Sequence, residues 1–244
     1  MKTVTKALGL LNLFLDGAGG RSLGALAEGA GLDKATARRM LVAMCDHGIV
    51  EQDGTSRLYA LGPALLPLAR AREAARPLVS VVEPAVRRLA QDLDETCHFS
   101  VPMHGALTVL AAAEASRPLR VHVREGDVLP LHTSGAGIAY LAASPKSVLD
   151  RVLGEPLRTT TPLGYATPKA VLDAVTLART QGYARTDQIH EEDVSGTAMA
   201  VHDGKGALVG VIGVATPLQR MSPQTERDIA TALRQTAEQI APHL

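Results

Sequence analysis

Asp33-Lys34-Ala35-Thr36-Ala37-Arg38-Arg39-Met40-Leu41-Val42-Ala43-Met44 is the stretch on which the fold turns. Asp33 is a good N-cap and Gly48 a good left-handed stop, so the spacing predicts a helix from Lys34 to about His47. On a 100° wheel Ala37, Met40, Leu41 and Met44 fall together and are expected inside. The opposite side shows Ala35, Arg38 and Arg39, with Lys34 nearer the edge. Small Ala35 would let the backbone approach a groove. Arg38 and Arg39 can reach phosphates or base edges, where arginine binds guanine bidentately. Thr36, in the first turn, can meet a phosphate with its hydroxyl and the free N–H groups around it. A solvated helix face with the same charges is the plainer alternative, so the neighbouring elements decide.

Upstream, Gly31-Leu32 reads as a tight turn. Ser22 caps a short helix at about Leu23–Gly29 with Leu26, Ala27 and Ala30 facing in. Val4, Ala7, Leu8, Leu11 and Phe14 or Leu15 recur at three- and four-residue spacing. They predict a first helix over roughly Thr3–Asp16, broken by Gly17-Ala18-Gly19-Gly20. Downstream, Ile49–Gln52 and Ser56–Leu61 read as strands about an Asp53-Gly54-Thr55 turn, with Ser56 and Arg57 at the tip. Arg57 suits a minor-groove or backbone contact. Helix, short helix, turn, helix, hairpin is the order of a winged helix-turn-helix. Together with the basic helix start it favours binding to double-stranded DNA.

The composition agrees with two domains: 244 residues, 46% of them hydrophobic. The expected division is a DNA-binding domain at 1–61, a linker helix at 62–76 and an effector-binding and oligomerisation domain at 77–244. The formal charge is zero, but residues 1–76 hold ten Lys or Arg against seven Asp or Glu. Aromatic residues are only 2%, which excludes a base-stacking platform. Two cysteines, Cys45 and Cys97, exclude a disulfide framework and a Cys-rich zinc site. Neither a signal peptide nor an apolar run long enough for a membrane span is evident. The expected location is the cytoplasm, without a membrane partner.

Past the linker helix, a helix at about Leu78–Leu93 precedes alternating strands and helices. Strands are expected at Cys97–Pro102, Leu107–Ala113, Leu119–Val123, Tyr183–Asp187, Thr197–His202 and Ala207–Val214. Helices are expected at Gly135–Ala143, Pro145–Leu153, Pro168–Gln181 and from Pro223 to about Ala241. Hairpins mixed with helices give an α+β class, an antiparallel sheet covered by helices. No nucleophile elbow, phosphate loop or dinucleotide fingerprint is present. Cys97 and His98 are neighbours on one strand, so they face opposite sides and cannot pair as thiol and base. His98, His104, His122, His132, His190 and His202 show no helical ligand spacing, and no metal or other cofactor is expected. The alternative to a regulator is a small-molecule-binding or hydrolytic enzyme with an appended helical domain.

Three stretches in residues 3–70 resemble the IclR family of bacterial transcription regulators: Val4–Leu11, Leu32–Leu41 and Tyr59-Ala60-Leu61-Gly62-Pro63-Ala64-Leu65-Leu66. Leu129–Ala139 resembles the signature of the family's GAF- or PAS-like effector domain, with Ile138 where the family usually has Lys. Gly182–Asp187 and Glu192–Ala198 are also similar, so the resemblance spans nearly the whole chain. It implies a ligand-responsive regulator of a catabolic operon, more often a repressor, and a homodimer or tetramer. It also implies an effector pocket at Thr133, Ser134, Gly135 and Ala136, with Asp187 reaching in from the opposite side. The helix start there suits a small anion, so the effector is expected to be a carboxylate. Gly196 replaces a frequent Cys or Ser of the family, and Gly213 and Ala215 replace serines of some members. These imply a roomier, less polar pocket.

Overall fold

The computed structural model describes residues 2–15 and 19–244, which form two compact units, 1–76 and 77–244. In the first, α1 (Lys2–Asn12) runs into a 3-10 turn at Leu13–Leu15. Then come α2 (Leu23–Gly29), α3 (Lys34–Asp46), the antiparallel hairpin β1 (Val50–Gln52) and β2 (Tyr59–Leu61), and α4 (Leu65–Ala75). The caps are made by the expected residues. Ser22 Oγ accepts from the Ala25 N–H at 3.2 Å, and Asp33 Oδ1 accepts from the Thr36 N–H at 2.8 Å. Those bonds to Thr36 hold the Asp33 carboxyl below the usual carboxylate range. Gly31 and Gly48 take positive φ and end the turns that follow α2 and α3. Leu10, Phe14, Leu26, Ala37, Leu41, Val50 and Tyr59 make the core.

Two expectations for this unit change. The buried side of α1 is Leu10 and Phe14, with Ala7 and Leu11 half-buried, whereas Val4, Leu8 and Leu15 are more than half exposed. A leucine-rich helix offers two overlapping stripes at three- and four-residue spacing, and periodicity alone does not choose between them. The helix end at Asp16 and the break beginning at Gly17 lie outside the described residues. The wing is also shorter in its strands and longer in its loop. Residues 53–58 wrap around the Asp53 carboxylate, which accepts from the Thr55 N–H, the Ser56 N–H and the Ser56 hydroxyl. Arg57 sits at φ 62°.

In the second unit, α5 (Val79–Leu93) precedes β3 (Thr96–Met103), β4 (Ala106–Ala113) and β5 (Val128–Leu129). Helices α6 (Gly135–Ala143), α7 (Lys146–Leu153) and α8 (Pro168–Gln181) follow. Strands β6 (Ala184–Asp187), β7 (Val194–His202) and β8 (Leu208–Pro217) and helix α9 (Pro223–Ile240) complete it. The six strands form one antiparallel sheet in the order β5-β4-β3-β8-β7-β6. Strand alternation gives the sheet two apolar faces. Phe99 and Ile212 meet Val82, Leu89, Ile229 and Leu233 of α5 and α9. Leu107 and Val211 meet Ile138, Leu141, Val171 and Val175 of α6 and α8. The fold is therefore α+β.

Leu119–Val123 is not a strand. It alternates as a strand would, but two of its carbonyls go to side chains: Thr96 Oγ1 donates to Val121 O at 2.7 Å and Arg220 Nη1 to Leu119 O at 2.9 Å. The edge strand is β5 instead, and residues 114–127 form an irregular loop.

Helix α6 lies very close to its neighbours. A Cβ on Gly137 would stand 2.4 Å from the Leu131 carbonyl oxygen, and a Cβ on Gly135 2.7 Å from that of Gly196. Both obstacles are backbone, which cannot swing aside. Gly137→Ala is therefore expected to destabilise the second unit by about 2 kcal/mol or more. Gly9→Ala, in α1 with open space around it, is expected to gain about 0.5–1 kcal/mol of helix stability. Thermal unfolding of the two variants, moving in opposite directions, checks the pair.

Candidate functional site

The outer surface of α3 presents Lys34, Ala35, Arg38 and Arg39 to solvent, with Thr36 half-buried. Arg39 Nη2 donates to Thr36 Oγ1 at 3.3 Å, a bond across one helical turn. Among the described residues, Lys34, Arg38, Arg39 and Arg57 make no ion pair with any carboxylate. The helix thus holds out an unneutralised basic ridge. Arg57 lies on the wing loop, where Gln52 Nε2 donates to its carbonyl at 2.9 Å. The ridge can bind an anionic backbone and read polar edges without first breaking an ion pair.

In the second unit, the start of α6, the sheet and two loops enclose a cavity of about 310 Å³. That is the low end of the range for small-molecule sites. Ser134, Gly135 and Ala136 form one wall, and His98, Gly196 and Ala215 contribute from the sheet. Thr186 of β6 borders it as well. Val121, His122, Val123 and Asp127 come from the 114–127 loop, and Ile189, His190 and Glu191 from the loop after β6. Five of the eight expected pocket residues are thereby brought together: Ser134, Gly135, Ala136, Gly196 and Ala215.

The other three stand elsewhere. Thr133 is buried outside the cavity lining, and its hydroxyl has no hydrogen-bond partner among the described residues. Asp187 is on the opposite side of the sheet. There it takes a two-pronged ion pair from Arg185, at 3.0 and 2.7 Å, and a hydrogen bond from Ser195 Oγ at 2.6 Å. Arg185 in turn reaches Glu226 of α9 at 2.6 Å. Successive strand residues face opposite ways, so Thr186 borders the cavity where Asp187 was expected. Gly213 lies under the His98 ring: a Cβ there would stand 2.7 Å from Nε2. The space left by the missing side chain at 213 is therefore filled by an imidazole from the neighbouring strand. The pocket is not simply enlarged.

His98, Thr186 and Asp127 were missed as pocket residues by sequence reasoning. The period of two put His98 opposite Cys97, but only the pairing of His98 with Gly213 across β3 and β8 shows what it does. Its ring is held by Ser100, with Nδ1 3.0 Å from the hydroxyl. Burial drives its pKa down to about 4. Cys97 is packed in the core between the sheet and α5 and α9, and burial pushes its thiol well up. The two share no site. Among the described residues, no group of three or more His, Cys, Asp and Glu is placed to hold a metal ion, and no helix is long and apolar enough to cross a membrane.

The polar chemistry of the wall comes from the backbone. Ser134 Oγ donates to Pro130 O at 2.7 Å and accepts from the Gly137 N–H at 2.9 Å. That hydroxyl is spent on capping α6. The N–H groups of Gly135 and Ala136, in the first turn, have no partner within the helix.

Neutral burial of His98 fixes a pH dependence. In the unfolded chain the imidazole binds a proton near pH 6.5, whereas the folded protein refuses it down to about pH 4. Stability is full above about 6.5 and falls as the pH drops towards 4. Urea unfolding should show the wild type losing about 2 kcal/mol relative to His98→Gln between neutral pH and pH 5.

Comparison with known proteins places both units. Residues 3–54 match the IclR helix-turn-helix domain and residues 74–242 match the bacterial transcriptional regulator IclR C-terminal domain. The acetate operon repressor of Salmonella typhimurium is 25% identical over 244 residues, covering 98% of this chain and 89% of that protein. The crystal structure of a putative IclR transcriptional regulator from a Silicibacter species superposes with a TM-score of 0.91 at 34% identity, covering 98% and 94% of the two chains. An IclR homologue from Microbacterium hydrocarbonoxydans, complexed with 4-hydroxybenzoate, shares the fold at a TM-score of 0.85 and 24% identity, covering 99% and 98%. With both family models matched and a relative of one-third identity along its length, the chain belongs to the IclR family of bacterial transcriptional regulators.

Proposed function

We propose that this regulator is a repressor of a catabolic operon, working as a homodimer or a pair of dimers in the cytoplasm by binding rather than by catalysis. The observation that carries this reading is the unpaired basic ridge on α3 beside a capped, ordered wing. Its α3 helix enters the major groove with Arg38 and Arg39 towards base edges. Lys34 and Thr36 meet phosphates, and Arg57 meets the backbone or minor groove. In a dimer the two α3 helices stand about 34 Å apart on a near-palindrome. Helix α4 supports the dimer. It is short and buries none of its residues, with Leu66 and Leu68 exposed. An isolated helix of that length is marginal in water, and a second copy would cover it.

Residues 77–244 sense a small molecule in the cavity at the start of α6. The effector acts by favouring one arrangement of the DNA-binding heads, through residues 62–76, over another.

Arg39→Ala and Arg38→Ala should each weaken binding to an operator obtained by site selection by roughly ten- to a hundredfold, with the fold intact by circular dichroism. The wild-type affinity should fall steeply with added salt. Mobility-shift titrations measure both, and unchanged affinity in both variants would remove α3 as the reading helix. Ala215→Phe, which fills the cavity from the sheet side, should keep operator binding and abolish the response to inducing metabolites in a reporter strain.

A further inference from the structure

The charged groups that border the cavity do not complement a ligand carboxylate. No lysine or arginine is among them. Arg185, on the strand that supplies Thr186, is committed to Asp187 and Glu226 on the far side of the sheet. His122 is engaged by Glu114 at 2.8 Å. Two carboxylates, Asp127 and Glu191, do border the space. A ligand carboxylate would find the partial positive end of α6, worth about half a charge, and only the exposed carboxylates of Asp127 and Glu191 at the solvent side. Burying an ion without an opposite charge is costly.

The same cavity is well supplied with neutral hydrogen-bonding groups. His98 is 6% exposed and Thr186 5%. The Nδ1 of His98 is occupied by Ser100, whereas its Nε2 has no hydrogen-bond partner among the described residues. The Thr186 hydroxyl likewise has none, and it lies beside the helix start: a Cβ on Gly135 would be 3.2 Å from Thr186 Oγ1. Both side chains border the cavity. Both atoms are reachable from the cavity rather than sealed off, so a ligand there meets polar groups that no protein group already occupies. A hydroxyl, amide or ketone would satisfy them without bringing a charge. Because burial keeps His98 neutral, it can give or take one hydrogen bond but offers no countercharge.

We propose that the effector is an uncharged molecule carrying a hydroxyl or carbonyl group, read by His98 Nε2 and the Thr186 hydroxyl together with the N–H groups at the start of α6. This rests on the reading of the cavity as the effector site, and it replaces the carboxylate expected from the helix end alone. His98 and Thr186 then set the ligand class. Thr186 takes the place of the acid expected from that strand, and His98 the place of a side chain at 213.

The test compares pairs of the same shape and different charge on the full-length protein by isothermal titration calorimetry at neutral pH. Suitable pairs are 4-hydroxybenzamide with 4-hydroxybenzoate and butyramide with butyrate. The amide of at least one pair should bind about tenfold or more tightly than its acid. Thr186→Val, which exchanges the hydroxyl for a methyl of similar size, should weaken that amide by about tenfold, and so should His98→Phe. The unfolding temperature of Thr186→Val without ligand reports separately on its fold. Acids that bind as well as their amides, or amide binding indifferent to Thr186→Val, would overturn the proposal and leave the cavity as the effector site. If no member of either pair binds, the proposal falls together with that reading of the cavity.

Discussion

The second unit is organised around a contact between two stretches of backbone. The first turn of α6 lies on β7 so closely that a Cβ on Gly135 would stand 2.7 Å from the Gly196 carbonyl oxygen. Gly137 makes the same demand two residues on, against Leu131 and Pro130. Side-chain packing has some tolerance, because rotamers shift; backbone against backbone has very little. The consequence reaches the cavity wall. The approach brings the helix N–H groups to the sheet, sets Thr186 beside them and leaves the serine cap facing Pro130. Much of the polar geometry of the cavity follows from those glycines.

The winged helix-turn-helix was legible because its signals are local. Ser22, Asp33, Gly31 and Gly48 act within a few residues of themselves, and each does in the structure what its chemistry implies. The Leu119–Val123 segment failed for the complementary reason. Period-two alternation says which side chains turn inward, but not whether backbone or side-chain partners take the carbonyls, and here Thr96 and Arg220 take two of them. The cavity was half legible. The α6 wall is a contiguous stretch and could be located. Asp187 was misplaced by one residue, which on a strand means the wrong side of the sheet. His98 needed the β3–β8 register, a long-range pairing with no local signal.

The Gly213–His98 pair illustrates how a substitution read on one strand misleads when its neighbour is unknown. Removing a side chain from β8 suggests empty, less polar space. In the folded sheet that space is occupied by a ring anchored on β3 and held by Ser100. Polarity is not lost but relocated to an imidazole on the neighbouring strand.

The wing loop carries one more implication. Asp53 already binds two N–H groups and a hydroxyl of the loop, and Arg57 already occupies its left-handed conformation. A tip that was loose in free solution would have to surrender backbone entropy of about 1–2 kcal/mol per residue on meeting the duplex. Here that ordering is complete beforehand, as part of folding. On the proposed reading of Arg57 as a DNA contact, adjustment at the wing is therefore left to exposed side chains such as that of Arg57, while the chain beneath them is already shaped.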